Sequence, residues 1–90
     1  MQDFIISNYI SKLDKNSITY FALKNDIRLN DNELDYVYKI IKSDYKVLLS
    51  NNYERVFDEA KNKLSLENYD KLYKLYLVYR KMYEGFLKSL

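Results

Sequence analysis

The stretch YDKLYKLYLVYRKMYEG, Tyr69 to Gly85, carries five tyrosines and four basic residues. Rings interleaved with cations are what a single-strand nucleic-acid groove uses, the bases stacking on the rings and the phosphates meeting the cations. Wound into a helix, the same residues separate. Tyr69, Leu72, Tyr76, Tyr79, Tyr83, Phe86 and Leu90 stand 3, 4, 3, 4, 3 and 4 positions apart, an unbroken seam along one side. Lys74, Lys81 and Lys88 recur every seven residues and fall opposite that seam. A stacking groove needs rings and cations on one surface, so the stretch reads as a core seam backed by a solvated lysine stripe. Tyrosine suits the margin of a small core because its apolar body ends in a hydroxyl that can reach water or a partner.

The seam is wider than a surface helix requires. Leu75 and Met82 flank it on one side, and Leu66, Tyr73 and Leu87 on the other, interrupted by Arg80. The apolar arc thus covers more than the usual stripe. Either the helix is central or one edge meets another chain. The candidate partner-facing edge is Tyr73, Leu77 and Arg80; the competing reading has Tyr73 covering the first helix of the same domain.

Other chemistry is excluded by what is missing. With no histidine and no cysteine, the commonest general base, the thiol nucleophile and most transition-metal ligands are gone. One glycine cannot build a phosphate-binding loop. The run NDNELD, Asn30 to Asp35, is rich in oxygen but lacks the central glycine and distal glutamate of a calcium loop, and helix capping explains it better. No catalytic, cofactor-binding or metal residue is therefore expected, and the chain is not expected to be an enzyme. Two successive helices in the first half invite comparison with a DNA-reading pair. Their connector, Asn25 to Asn30, is longer than the usual turn, and the second helix would meet phosphates with Asp31 and Glu33.

Elements must position these side chains. The 90 residues suit a single domain, 1–90, and at 48% hydrophobic against 31% charged the chain has the material for one core. The absence of proline favours long uninterrupted helices. Phe4, Ile6, Ile10 and Leu13 mark a first helix, and Ser17 is placed to cap a short second one from Ile18 to about Lys24. Ile27 and Leu29 then alternate as an inward-facing connector. Asn30 with Glu33 forms a variant capping box for a third helix, which should end near Ser43. The stretch DYKVLLSNN reads as a buried connector or a short helical turn. A fourth helix spans about Asn52 to Leu64. Ser65 caps the last, which is expected to run through Gly85 because Phe86 and Leu90 keep its phase. The expectation is an all-α fold, a compact bundle of four to five helices with a long C-terminal tyrosine-rich helix.

No stretch is apolar enough to span a membrane, and the opening MQDFIISNYISKL is too polar for a secretion signal. With no cysteine to pair, a cytoplasmic location is expected. The net charge of +2 is nearly balanced, unlike the concentrated basic surface of a dedicated nucleic-acid domain.

The middle of the chain, SITYFALKNDIRLNDNELDYVYKIIKSDYKVLLSNNYERV, resembles a family of small helical proteins from low-GC Gram-positive bacteria, filed as domain of unknown function 2624. The resemblance lies in the order of pieces: a short helix with Ala22, the IRLN connector from Ile27 to Asn30, a helix ending in Ile40 and Ile41, the short apolar stretch Val47 to Leu49, and Arg55 in the following helix. It covers about half the chain, and the tyrosine-rich last helix departs from it. It implies a cytosolic, all-α, bacterial protein and carries no site residue across. The function expected is a small non-enzymatic module for protein–protein contact or structure, able to form a homodimer. Nucleic-acid binding is the alternative, and it requires lysines from several helices to converge.

Overall fold

A computed structural model describes the backbone of residues 2–88 and the side chains of residues 7–85. Five helices follow one another: α1 (Gln2–Lys12), α2 (Lys15–Lys24), α3 (Asp31–Leu49), α4 (Tyr53–Ala60) and α5 (Leu66–Lys88). The architecture is an all-α bundle with a long C-terminal helix. The apolar positions assigned to Phe4 and Ile6, the seam's end at Phe86 and Leu90, the flanking Leu87, and Lys88 of the lysine stripe lie outside the described side chains.

Each helix boundary has a local cause. The α2 cap is Asp14, three residues earlier than the expected Ser17: the Asp14 carboxylate accepts from the Ser17 main-chain N–H at 2.7 Å. A carboxylate is also the better charge for a helix N-terminus. The Ser17 N–H holds that carboxyl below the ordinary aspartate range. At its other end α2 closes with a Schellman motif. Ile27 N–H donates to Ala22 C=O at 2.8 Å, and Asp26 N–H to Leu23 C=O at 3.0 Å. Asp26 occupies the left-handed position, φ 60°, where glycine is usual. Ile27, the next residue, is driven into the core at 1% exposure.

Asn30 and Glu33 close the expected capping box at the start of α3, in both directions. That helix does not stop at Ser43. It bends at Asp44 (φ −120°, ψ 18°) and resumes to Leu49. The Ser43 hydroxyl donates back to the Lys39 carbonyl at 2.6 Å, a bond that competes with the helical ladder one residue before the bend. The ambiguous stretch after Ser43 is thus a helical turn. Helix α4 ends at Ala60, short of Leu64, and a turn leads to Ser65. The Ser65 Oγ accepts from the Asn68 main-chain N–H at 3.1 Å, capping α5 as expected. Helix α5 continues through Gly85, also as expected.

Helix α3 is the centre, with α1, α2 and α4 laid against it. The backbone of α5 comes less close to its neighbours than these helices do to α3. It is held instead by the far ends of long side chains. The Phe57 ring of α4 meets Tyr73 at 4.6 Å, Tyr76 at 5.0 Å and Tyr69 at 6.3 Å between centroids. Ile18, Ala22, Ile27, Val56, Phe57 and Ala60 form the buried apolar core.

Candidate functional site

Three cations act as helix stoppers. The last carbonyls of a helix lack intrahelical donors and carry the negative end of its dipole, so a cation there satisfies both deficits. The Lys42 ammonium donates to the Ile10 and Ser11 carbonyls, 2.7 and 3.0 Å away, at the end of α1. Lys71 donates to the Asp26 carbonyl at 2.9 Å, just past α2. Arg80 donates to the Leu48 and Ser50 carbonyls, at 3.1 and 2.8 Å, at the end of α3.

Arg80 is the most heavily used of the three. Its side chain is only 12% exposed. It donates to the Tyr76 hydroxyl at 3.0 Å and to Asn51 Oδ1 at 3.2 Å, pairs with Glu84 at 3.1 Å, and stacks 4.3 Å above the Tyr53 ring. Tyr76 in turn donates to the Leu48 carbonyl. Burial pushes the Tyr76 phenol above its ordinary pKa, against the opposing effect of Arg80, so it stays a donor throughout the neutral range.

The sequence-predicted edge therefore divides. Arg80 is committed to the α3–α4 junction. Tyr73 packs on Phe57 and on Tyr69, so among the described residues it covers α4. Leu77 stays 38% exposed. Tyr73 and Leu77 line an open groove between α4 and α5, whose lips carry Glu54, Asp58 and Asp70 with Lys61 and Lys74. The two lysines sit against carboxylates, Lys61 at 3.7 Å from Asp58 and Lys74 at 3.0 Å from Asp70. Lys15 pairs with Asp35 in the same way. The expected separation of rings and lysines on α5 is present: Lys74 and Lys81 are exposed, while Tyr69, Tyr73 and Tyr76 turn inward.

The opposite side of α5 faces an apolar hollow. A half-enclosed hollow of about 470 Å³ lies between α5 and the other helices. Its walls are almost wholly apolar, with Ile18 and Ala22 from α2, Ile40 from α3, Val56 and Ala60 from α4 and Leu72 from α5. Tyr9, Phe21 and Tyr79 stand at its edge, each exposed yet part of the lining. The Phe21 and Tyr79 rings lie 5.6 Å apart. Beyond them α5 presents Val78 and Met82 at 56% and 63% exposure. Helical periodicity alone had assigned Tyr79 to the core seam; at 47% exposure it is a rim residue. The small Ala22 and Ala60 are buried in the walls of the hollow.

Among the described residues, no cluster of acidic side chains is arranged to hold a metal ion, and no helix is long and apolar enough to cross a membrane. No family model, no curated protein and no solved structure matches this chain.

Proposed function

We propose that this protein is a non-enzymatic helical module that works by protein–protein contact, pairing with a second copy of itself through the exposed side of α5. The observation that carries this is the contiguous rim of Phe21, Tyr79, Val78 and Met82, large apolar side chains left in water beside one another. Apolar patches of this kind mark interaction surfaces. A strip along one helix is also self-complementary under two-fold symmetry, the commonest arrangement of soluble oligomers. The cysteine-free sequence and the resemblance to a bacterial helical family support a cytoplasmic, bacterial setting.

Sedimentation velocity over a hundredfold concentration range tests the proposal. The mass should rise toward a dimer, and Met82→Lys or Val78→Lys should hold the chain monomeric. Leu77→Lys, on the other edge of α5, should leave the dimer intact. A monomer at every concentration, with Met82→Lys indistinguishable from the parent chain, would remove the self-pairing reading.

A further inference from the structure

The chain has one glycine, Gly85, and it stands inside the last helix. Glycine is the poorest helix former after proline, so a helical glycine carries a cost that some contact should offset. The usual reasons are absent at Gly85. Its φ is not positive, so it is not the left-handed residue that ends a helix, and α5 runs on to Lys88. A methyl group built on its Cα would meet nothing within 4 Å among the described residues, so no neighbour in the chain needs the space.

On the helix surface, Met82 lies three residues before Gly85 and Val78 seven before it, spacings that share one face. Val78 and Met82 are 56% and 63% exposed, and Gly85 is exposed with them. The strip therefore carries a projecting branched side chain at Val78, a flexible one at Met82 and bare backbone at Gly85.

That order is self-complementary in one register. A two-fold axis crossing the strip at Met82 runs two α5 helices antiparallel, so that their dipoles oppose. It sets Met82 against Met82 of the second copy. Val78 and Gly85 stand four and three residues from the axis on opposite sides, roughly 6 and 4.5 Å along the helix, so each Val78 lands on the other copy's Gly85. In an isologous interface that contact occurs twice. A missing side chain at this point lets the helices come to the near end of the roughly 8–10 Å spacing of packed pairs.

We infer that Gly85 is the seat for Val78 of a second copy, in an antiparallel α5–α5 dimer centred on Met82. This rests on the self-pairing proposed above and specifies its register. Folding and association then pull this position in opposite directions: alanine favours the lone helix, and glycine favours the pair.

Gly85→Ala and Gly85→Leu in the full chain test the seat. In dilute solution, where the parent chain is monomeric, Gly85→Ala should raise the thermal midpoint. At high concentration, sedimentation should show its dimer weakened about tenfold, the effect of an extra methyl group in a packed contact, and that of Gly85→Leu weakened further. Because the chain has no cysteine, single cysteines report the register cleanly. Under mild oxidation Met82→Cys should link to itself, and Val78→Cys should link to Gly85→Cys in a mixture of the two. Val78→Cys alone should not link, since its two copies lie roughly 12 Å apart along the helix axis, beyond the about 7 Å that a disulfide spans between Cα atoms. If Gly85→Ala dimerises as tightly as the parent chain, the role of the glycine is overturned while self-pairing stands. Self-linking of Val78→Cys, as a parallel pair would give, overturns the register. A parent chain that stays monomeric at every concentration overturns both the seat and the self-pairing.

Discussion

The Asn68 side-chain amide donates to the Glu33 carboxylate at 2.9 Å, joining the third positions of α5 and α3 across 35 residues of chain. The same carboxylate accepts from the Asn30 N–H at 3.1 Å and, through its other oxygen, from the Ser65 N–H at 2.8 Å. Asn68 completes the junction by donating to the Arg28 carbonyl at 2.8 Å. One side chain thus caps its own helix and secures the entrance to the last one.

Removing Glu33 strands several donors at once. Glu33→Ala should cost about 3 kcal/mol, the range for hydrogen bonds to a charged acceptor and for donors left unpaired. Glu33→Gln keeps the shape and one acceptor and should cost about half as much. Urea unfolding of the two variants beside the parent chain measures both.

Acid should reproduce part of that loss. Burial pushes the Glu33 pKa up, but the Ser65 and Asn30 N–H groups and the Asn68 amide together outweigh it and leave the carboxyl below its ordinary value. A folded pKa below the unfolded one means stability that is present above the ordinary glutamate range. It is lost as pH falls through the folded value. The gap between parent and Glu33→Gln should therefore be full at neutral pH and shrink below about pH 4. Urea midpoints at pH 7 and pH 3 decide it; an equal gap at both would contradict the assignment.

Arg80 should behave as a structural residue. Arg80→Ala strands the Ser50 carbonyl, leaves the Leu48 carbonyl to Tyr76 alone and exposes the Tyr53 face, for an expected loss of about 2–4 kcal/mol. Arg80→Lys should recover less than half, because a single ammonium cannot span the splayed acceptors or stack on the ring. Hydrogen exchange of the amides from Leu48 to Tyr53 should accelerate in both. If the two variants keep full stability, the side chain is not the clamp described.

Two backbone positions invite stabilisation. Gly85 lies inside α5 with open space around the place a Cβ would occupy, so Gly85→Ala should add about 1 kcal/mol. Asp26 holds a left-handed conformation that suits glycine better, and Asp26→Gly should add about 0.5–1 kcal/mol. Thermal unfolding of the single variants checks each, and their sum should hold in the double variant because the contact of Asp26 on α5 is Lys71, roughly 20 Å along the helix from Gly85 at about 1.5 Å per residue.

Helix starts were readable because their signals are local. Asn30 with Glu33, and Ser65 with its first turn, announce themselves within four residues. The α2 start was misplaced by the same logic, since Asp14 and Ser17 are both good caps and only the fold chooses. The bend at Asp44 left a visible doubt, an apolar run after Ser43 that fitted neither strand nor loop. Helical period also sorted the rings from the lysines on α5, but it sets angles between residues and not the angle of the whole helix. The large Phe57 ring and the Arg80 anchor turn the buried arc toward α4, which draws Tyr73 in and leaves Tyr79 at the rim. The Glu33–Asn68 bond and the hollow depend on distances between helices, and no local pattern records those.

The three stoppers, Lys42, Lys71 and Arg80, bind main-chain oxygens at residues 10, 11, 26, 48 and 50. Every amino acid supplies that oxygen. Mutational tolerance around these tethers is therefore lopsided: the capped positions are free to drift in side-chain identity as far as the tether is concerned, while the three cations are not. A deep substitution scan should find Lys42, Lys71 and Arg80 less tolerant than the residues whose carbonyls they bind, in contrast to the Glu33–Asn68 bond, which needs a particular side chain at both ends.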